Sequence, residues 1–303
     1  MKVVLMGGLG NQMFQLAFAL GQKFDEIELF YNLGNARMNN RDVPEICDFI
    51  LPSRVSLRSA PEKFKWLSEK IIGVNIGIHL RDTFSAKLFR STIRFLSSIY
   101  FSFLLGDLVN VRVSTNIGFH EFRKLNNNSL VIGYFQTYRY LDSENPIELA
   151  GIQPKTISSA TLEWINKNKG LNLLAIHFRL GDYRNEPSIG ILDEEYFARA
   201  LDTLNRESFD KIVVFTDSPG DLKSYIPRNL KNFEIAPSGS TSAESMWIMQ
   251  KCSSFIIANS SFSWWAAKLS LTTNKIVVAP QPWFLDLDTP RDLIPPTWFK
   301  VKR

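Results

Sequence analysis

Cysteine is nearly absent from this chain of 303 residues, which contains only Cys47 and Cys252. Two thiols can form neither a disulfide framework nor a cysteine-rich metal cluster, and no zinc-finger spacing accompanies them. Disulfide-stapled scaffolds and zinc-binding modules are therefore excluded.

Long hydrophobic runs are also absent, since a membrane-spanning helix needs about 20 apolar residues. The apolar start at 2–6 is too short for a signal peptide and ends in glycines, so we expect a buried strand of a cytoplasmic protein. Residues 95–105 read FLSSIYFSFLL and follow Lys87, Arg90 and Arg94. We predict a buried core helix there; the alternative is an interfacial helix with peripheral contact to the inner face of a bacterial membrane.

Charge is not concentrated in any one segment. The net charge is +5 and the isoelectric point is near 9.1, without a dense lysine/arginine block or an aromatic RNA-binding signature. The sequence therefore predicts no nucleic-acid partner. A mild positive balance suits smaller anionic partners, such as a nucleotide diphosphate or a phospholipid surface.

Alternating strands and helices are what the chain does contain. With 45% hydrophobic residues it can bury sizeable cores, and its length suggests two domains. Pro146, Gly151 and Pro154 place a boundary within 142–160, which divides the chain into domains 1–150 and 151–303. The expected fold class is α/β, with a doubly wound parallel sheet in each half.

The first half begins as a βαβ unit, with strands at 2–6 and 27–31 around a buried helix that starts at Asn11. Residues 35–130 are expected to be helix-rich. In the second half, Asp193 and Thr241 are expected to cap helices. Strands are predicted there at 171–178, 211–215, 233–236, 255–258 and 275–279, and helices at 193–206, 241–252 and 263–271.

The segment GGLGNQ at 7–12 lies between the first strand and the first helix. It is not a dinucleotide fingerprint, because Met13 fills the third glycine position and the second strand ends at Asn32 instead of an acid. Two interpretations stand: the helix N-terminus binds an anion, or the glycines serve only a tight turn. The amides of Asn11 and Gln12 suit sugar hydroxyls.

The segment HFRLGDY at 177–183 follows a predicted buried strand, and ligands of open α/β sheets bind at the carboxyl ends of strands. Arg179 offers a fork of donors that fits a diphosphate, and Asp182 either orients Arg179 or acts as an acid/base group. The alternatives are a structural ion pair between these two residues and a core His177 with satisfied hydrogen bonds.

The run NSSFSWWAA at 259–267 also opens a helix after a strand. Hydroxyls and free backbone amides at a helix N-terminus form a phosphate cradle, although serines there are also ordinary N-caps. Trp264 and Trp265 are expected to pack in a core. The candidate donor-binding residues of this run are Asn259, Ser260, Ser261, Phe262 and Ser263.

Two carboxylates complete the candidate set, Asp217 and Glu244. A carboxylate can accept hydrogen bonds from N1–H and N2–H of guanine; the alternative is structural, since a capping box with Thr241 explains Glu244. The Asp-x-Asp pair Asp286 and Asp288 lies in a proline-rich loop away from the strand ends. We therefore expect no metal and no cofactor, because an arginine can neutralise a leaving diphosphate.

Five segments, in order along the chain, resemble the α-1,2-fucosyltransferase family of bacterial O-antigen and histo-blood-group enzymes. They are GGLGNQMFQ at 7–15, GYFQ at 133–136, HFRLGDY at 177–183, FTDS at 215–218 and IIANSSFSWWAA at 256–267. The resemblance implies a GT-B-type glycosyltransferase of two Rossmann-like halves facing a central cleft. It also implies inverting, metal-independent transfer of L-fucose from GDP-β-L-fucose to the 2-hydroxyl of a terminal β-galactoside, with a polyprenyl-diphosphate-linked glycan as one acceptor form.

By position, the resemblance implies an acceptor-side domain at 1–150 and a GDP-fucose-binding domain at 151–303. It implies that Arg179 holds the diphosphate, that Asn11 faces the reaction centre and that His177 lies near the nucleotide. The serines implied to line the phosphates are Ser260, Ser261 and Ser263.

Three features depart from the family pattern. Leu180 stands where a second arginine is usual, Ser245 stands where an acid is frequent, and the run 252–254 lacks a basic face. Asp182 is the first candidate for the general base and Glu186 the second. Two alternatives stay open: a transferase of another nucleotide sugar such as GDP-mannose, or a non-catalytic nucleotide- or glycan-binding module.

Overall fold

The computed structural model describes residues 1–80, 84–141, 149 and 151–303, with side chains in these ranges except at 78–80 and 84–88. The chain forms two compact units, Met1–Ile152 and Gln153–Arg303. Much of the predicted boundary segment, at 142–148 and 150, lies outside the described ranges. The acceptor-side and donor-side roles of the two halves stay predictions.

The first unit is built on one parallel sheet. Its elements are β1 (Lys2–Val4), α1 (Leu9–Leu20), β2 (Ile27–Tyr31), β3 (Val55–Ser59), α2 (Lys65–Leu80), α3 (Phe84–Leu105), β4 (Asn110–Val113) and β5 (Ser129–Ile132). The strand order is β3-β2-β1-β5-β4, so the apolar β1 lies at the centre. Helix α1 buries all of its residues except Asn11, which confirms the predicted βαβ start.

The second unit repeats this architecture. Its elements are α4 (Ser159–Lys167), β6 (Leu173–Phe178), α5 (Glu194–Asp202), β7 (Lys211–Thr216), β8 (Phe233–Ile235), α6 (Ser242–Met249), β9 (Ser254–Ile256), α7 (Ser261–Leu269), β10 (Val277–Gln281) and β11 (Phe299–Lys302). The strands are parallel in the order β11-β10-β9-β6-β7-β8. The α/β class with a parallel sheet in each half is confirmed; β11 was not predicted.

Local sequence signals fix the helix starts of the second unit. The Asp193 carboxylate accepts a hydrogen bond from the Tyr196 amide at 2.8 Å and caps α5. The Thr241 hydroxyl accepts one from the Glu244 amide at 3.1 Å and caps α6. Both caps were predicted. Trp264 of α7 is fully buried, as expected of a core residue.

The prediction of a buried core helix at 95–105 is wrong for most of its apolar side chains. Phe101 is fully buried in α3, but Phe95 is 65% exposed and Phe103 is 82% exposed. The side chain of Lys87, one of the predicted basic flanks, lies outside the described part of the chain. No helix in the described ranges is long and apolar enough to cross a membrane.

Two serines help to set the orientation of α3, together with the buried Phe101. The Ser98 hydroxyl accepts a hydrogen bond from the Val111 amide at 3.0 Å, and the Ser102 hydroxyl accepts one from the Val109 amide at 2.9 Å. Strand β4 is an edge strand, so its outward amides need acceptors. The serine face of α3 satisfies them, and the helix turns much of its apolar face to solvent.

Candidate active site

Three loops of the second unit meet at the carboxyl edge of its sheet, because β6 lies between β7 and β9 and all strands are parallel. The HFRLGDY loop leaves β6, the segment that begins at Asp217 leaves β7, and the run 259–263 follows β9. The candidate residues on these loops are therefore neighbours, as the rule for open α/β sheets predicts.

Arg179 is held by two carboxylates. Its Nη2 donates a hydrogen bond to Asp182 Oδ2 at 2.8 Å, and its Nε forms an ion pair with Asp217 Oδ2 at 3.2 Å. The side chain is only 15% exposed, and its guanidinium lies 5.6 Å from the centroid of the Tyr183 ring. Burial by itself would lower the pKa of Arg179, but the two acids outweigh burial and raise it. The charge of Arg179 is therefore fixed in place and permanent.

Asp217 holds the HFRLGDY loop in place through hydrogen bonds to its backbone. Its Oδ1 accepts a hydrogen bond from the Leu180 amide at 2.9 Å, and the Gly181 amide donates to both carboxylate oxygens at 3.2 Å. A Cβ at Gly181 would lie 2.9 Å from Asp217 Oδ2, so glycine allows this close approach. With the Arg179 contact, both oxygens are engaged within the loop. Asp217 therefore has a structural role in this loop, and its part in donor recognition stays a prediction.

His177 lies buried beneath the loop, with 3% of its surface exposed. Its Nδ1 has no hydrogen-bond partner in the part of the chain that the structure describes, so the alternative of a satisfied core histidine does not hold. Its ring lies 5.7 Å from the Phe262 ring, between centroids. Burial, with a contribution from Arg179 and against the attraction of Asp217, lowers the pKa of His177 to about 3. The imidazole is therefore neutral at physiological pH.

The N-terminus of α7 presents open backbone amides. Ser260 is the N-cap residue, but its side chain makes no capping hydrogen bond, and Ser263 Oγ donates to the Ser260 carbonyl at 3.2 Å. Within the described ranges, the amides of Ser261, Phe262 and Ser263 have no acceptor. Ordinary side-chain capping is thus absent, and an anion can bind these amides with support from the helix dipole.

Tyr183 joins the HFRLGDY loop to this helix start. Its hydroxyl donates a hydrogen bond to the Asn259 carbonyl at 3.1 Å. The Asn259 side chain is directed elsewhere, because its Nδ2 donates to the carbonyls of Ile189 and Gly190, both at 3.0 Å. Its Nδ2 therefore ties the preceding loop together, whereas its buried Oδ1 has no hydrogen-bond partner among the described residues. The donor-binding role of Asn259 stays a prediction. Tyr183 was missed from the sequence, since nothing local marks a tyrosine as a bridge.

Glu244 is fully buried and fully hydrogen-bonded. Its Oε1 accepts from the Ser158 amide at 2.7 Å and from the Ser158 hydroxyl at 2.8 Å, while its Oε2 accepts from the Ser240 amide at 2.6 Å. Burial alone would raise its pKa, but the hydrogen bonds from Ser240, Thr161 and Ser158 lower it to about 2. The expected guanine contact is replaced by a structural role, because both oxygens face the chain itself.

In the first unit, Asn11 and the GYFQ segment come together. Gln136 Nε2 donates a hydrogen bond to Asn11 Oδ1 at 2.9 Å. Gln15 accepts from the Met6 amide at 3.0 Å and donates to the Gly133 carbonyl at 3.2 Å, and so links the ends of β1 and β5. Two motifs that are far apart in the sequence therefore form one local structure. Asn11 is the partly exposed member of it.

The glycine turn of the first unit does not leave an open anion site. Glu45 Oε2 accepts a hydrogen bond from the Leu9 amide at 2.6 Å, and this carboxylate is buried. Gly7 has a φ of +69°, and a Cβ there would lie 2.4 Å from Asn11 Nδ2. The tight-turn interpretation is therefore the correct one, and the chain supplies its own anion at α1.

Gln12 is also structural, contrary to the expectation that it meets sugar hydroxyls. Its Nε2 donates hydrogen bonds to the carbonyls of Gly7 and Arg37, both at 2.9 Å, and its Oε1 accepts from the Ile46 amide at 2.9 Å. All of this lies in a buried setting. Sequence alone could not separate the roles of Asn11 and Gln12, because both are amides in the same helical turn.

The two candidate bases lie on the same loop. Asp182 is 39% exposed and bonded to Arg179, and Glu186 is exposed four positions further on. Among the described residues, no three histidine, cysteine, aspartate or glutamate side chains form a group that could hold a metal ion. Asp286 and Asp288 are exposed in their loop.

Comparison with known proteins places these motifs in a family. The model of Glycosyl transferase family 11 matches residues 1–292. The chain is 28% identical over 304 residues to the O-antigen biosynthesis glycosyltransferase WbnK of Escherichia coli, across 92% of this chain and 93% of WbnK. It is 30% identical over 182 residues to an alpha-1,2-colitosyltransferase of Escherichia coli, across 57% of this chain and 62% of that protein.

Solved structures show more distant similarity. The α-1,6-fucosyltransferase NodZ, soaked with GDP-fucose, aligns with a TM-score of 0.48 at 13% identity, over 91% of this chain and 94% of NodZ. ADP-heptose heptosyltransferase II of Escherichia coli aligns with a TM-score of 0.46 at 11% identity, over 99% and 90%. The resemblance carried by the sequence motifs is confirmed by the match along nearly the whole chain: the protein is a glycosyltransferase and belongs to glycosyl transferase family 11.

Proposed function

We propose that this glycosyltransferase transfers L-fucose from GDP-β-L-fucose to the 2-hydroxyl of a terminal β-galactoside, with inversion at the anomeric carbon. The observation that carries the proposal is that Arg179 and the open N-terminus of α7 lie at the same sheet edge. A fixed guanidinium and free helix amides are complementary to a diphosphate. Family 11 membership and the α-1,2 linkage named for one relative support the reaction class.

The reaction proceeds in one displacement. The acceptor oxygen attacks the anomeric carbon of fucose, the bond from that carbon to the β-phosphate oxygen breaks, and GDP leaves with the bonding electrons. Negative charge therefore develops on the β-phosphate. Arg179 and the amides of 261–263 stabilise this charge, and preorganised stabilisation of this kind often contributes more to catalysis than any other single effect.

The base must take the proton from the acceptor hydroxyl. Asp182 is our first candidate, since its carboxylate is partly exposed at the site and held by Arg179. Glu186, exposed on the same loop, is the second. Asn11 contributes a partly exposed amide that suits a sugar hydroxyl, while the neutral His177 lies near Phe262 on the nucleotide side.

A metal ion is not required in this proposal. Arg179 stays protonated and lies at the same sheet edge as the N-terminus of α7, and together they can stabilise the leaving diphosphate. GDP-fucose enters as a substrate, so the enzyme needs no cofactor.

The acceptor we propose is a galactoside-terminated repeat unit of a bacterial surface polysaccharide, carried on polyprenyl diphosphate. The name of the relative WbnK, an O-antigen glycosyltransferase, supports this class of acceptor. With a lipid carrier, the reaction takes place at the inner face of the membrane. No nucleic acid takes part.

A second candidate donor is nucleotide-activated colitose, because one relative is an alpha-1,2-colitosyltransferase. The two donors are separated by incubating the protein with GDP-fucose, GDP-colitose or GDP-mannose and a panel of soluble β-galactosides, followed by linkage analysis of the products. We expect α-1,2-fucosylated galactosides. Transfer of colitose or mannose in preference to fucose would show that the donor is not GDP-fucose. A linkage other than α-1,2 would show that a different hydroxyl of the acceptor receives the sugar. Binding of every donor without turnover would favour a non-catalytic module.

A further inference from the structure

A groove of about 450 Å³ lies at the edge of the first sheet, between α3, β4 and the turn before β5. It is far along the chain from the residues assigned to the reaction. Its lining includes two arginines, two large apolar side chains and two asparagines, which are Arg94, Arg112, Phe95, Leu108, Asn126 and Asn128. No carboxylate is among its lining residues.

Within the part of the chain that the structure describes, the positive charge in this groove has no protein counter-charge. Neither Arg94 nor Arg112 has an acidic partner in the described ranges, and Arg112 Nε is buried without a hydrogen-bond partner. Burial, together with repulsion from Arg112 and Arg90, lowers the pKa of Arg94. Like charges held close together in a half-buried groove are unfavourable unless an anion joins them. Guanidinium groups bind phosphate well, through paired hydrogen bonds.

Exposed apolar side chains begin at the rim of the same groove. Leu108 is 76% exposed there, beside Phe95. Along α3 the exposed side chains of Leu96, Ile99 and Phe103 follow at helical spacings of three and four residues, so they share one face of the helix. We call this face, from Phe95 to Phe103, the apolar stripe. Positive charge that can bind a phosphate therefore lies directly next to an apolar surface that can contact acyl chains.

We propose that this groove binds the phosphate of an anionic phospholipid, and that the apolar stripe of α3 rests in the boundary between headgroups and acyl chains. The occupant is a membrane surface, because a soluble phosphate would need the arginines but not the large exposed side chains next to them. A protein partner would need an acidic side chain placed to pair with Arg94. Amphipathic helices with cationic flanks bind anionic membranes through charge attraction and apolar burial together.

Membrane binding would specify where the enzyme of the proposed function acts, but it does not depend on the identity of the donor or the acceptor. Sedimentation with vesicles tests it without any sugar. We expect the protein to pellet with vesicles of phosphatidylcholine and phosphatidylglycerol, and far less with phosphatidylcholine alone. Arg94→Gln and Arg112→Gln should each weaken binding to the anionic vesicles roughly fivefold. Phe103→Asn should weaken binding to both kinds of vesicle.

Matched controls lie in the second unit. Leu271 is 79% exposed and Arg228 is exposed, so Leu271→Asn and Arg228→Gln remove the same chemistry elsewhere. They should leave vesicle binding unchanged. Activity on a soluble galactoside, measured in parallel, should be unchanged in all five variants, which keeps this test separate from that of the reaction.

Four results would overturn the inference. The first is no binding to anionic vesicles. The second is binding that the arginine variants do not weaken. The third is self-association, seen by analytical ultracentrifugation and abolished by Phe103→Asn, without vesicle binding; this would assign the apolar stripe to a second copy of the chain. A thermal shift with glycerol phosphate that is lost in Arg94→Gln, again without vesicle binding, would assign the groove to a soluble phosphate.

Discussion

At the scale of single residues, Arg179 is the side chain on which the proposed site depends. Asp182 and Asp217 hold its guanidinium through a hydrogen bond and an ion pair, so its orientation is fixed before a substrate binds. Leu180 is buried in the core and cannot share the charge. A donor with two phosphates therefore meets one guanidinium and the amides of α7. Loss of that guanidinium should remove stabilisation that the transition state needs more than the ground state does.

We expect Arg179→Ala to lower kcat/KM for GDP-fucose by on the order of a hundredfold or more, as for loss of one preorganised charge stabiliser. Steady-state kinetics with a soluble galactoside measures this. Arg184→Ala is the matched control, because Arg184 is on the same loop but pairs with Asp221 at the surface, at 2.6 Å. Near-normal turnover by Arg179→Ala would show that another group holds the diphosphate.

At the scale of elements, one buried carboxylate joins the starts of two helices. Glu244 belongs to the first turn of α6, and it also accepts from Ser158, the N-cap of α4. The side chain therefore satisfies donors of two elements that are far apart in the sequence. Its pKa, lowered to about 2, indicates that the folded protein favours the charged form. Stability from this group is complete above the usual glutamate pKa and is lost as the pH falls towards 2.

We expect Glu244→Gln to destabilise the protein by on the order of 2 kcal/mol at neutral pH, because an amide group would face the donors of Ser158 and Ser240. Thermal or denaturant unfolding at several pH values measures this. The difference between wild type and variant should shrink as the pH falls below about 4.5. Glu163→Gln, an exposed change on α4, should have little effect. A loss of stability that is the same at every pH would show that the negative charge of Glu244 does not contribute to stability.

At the scale of the whole molecule, the proposed chemistry draws its positive charge from the protein alone. We therefore expect full activity, within about twofold, in excess EDTA, since Arg179 and the α7 amides can balance the leaving group. Assays with and without EDTA, and with added Mg²⁺ or Mn²⁺, measure this. A strict requirement for either ion would contradict the mechanism.

Whole-chain organisation was predictable where the signals are local. Strand ends, the caps at Asp193 and Thr241 and the parallel sheets all follow from patterns within a few residues. Contacts between distant segments were not predictable. Glu45 reaches the start of α1 from 36 positions away, and nothing in its neighbourhood distinguishes it from other acids. The hydrogen bonds from Asn259 Nδ2 to the carbonyls of Ile189 and Gly190 were likewise not predictable, because these carbonyls are loop atoms without a sequence signature.

The two serine hydroxyls of α3 have a consequence for how this chain can vary in length. Four residues of helix rise about 6.0 Å and two residues of strand about 6.6 Å, so Ser98 and Ser102 match the spacing of Val111 and Val109. An insertion or deletion within 98–102 or within 109–111 would put the two pairs out of step with each other and leave an outer amide of this edge without its acceptor. An exposed edge of this kind can pair with the edge of another molecule. These two segments should therefore not tolerate a change in length, whereas the turn at 106–108 between them can be lengthened.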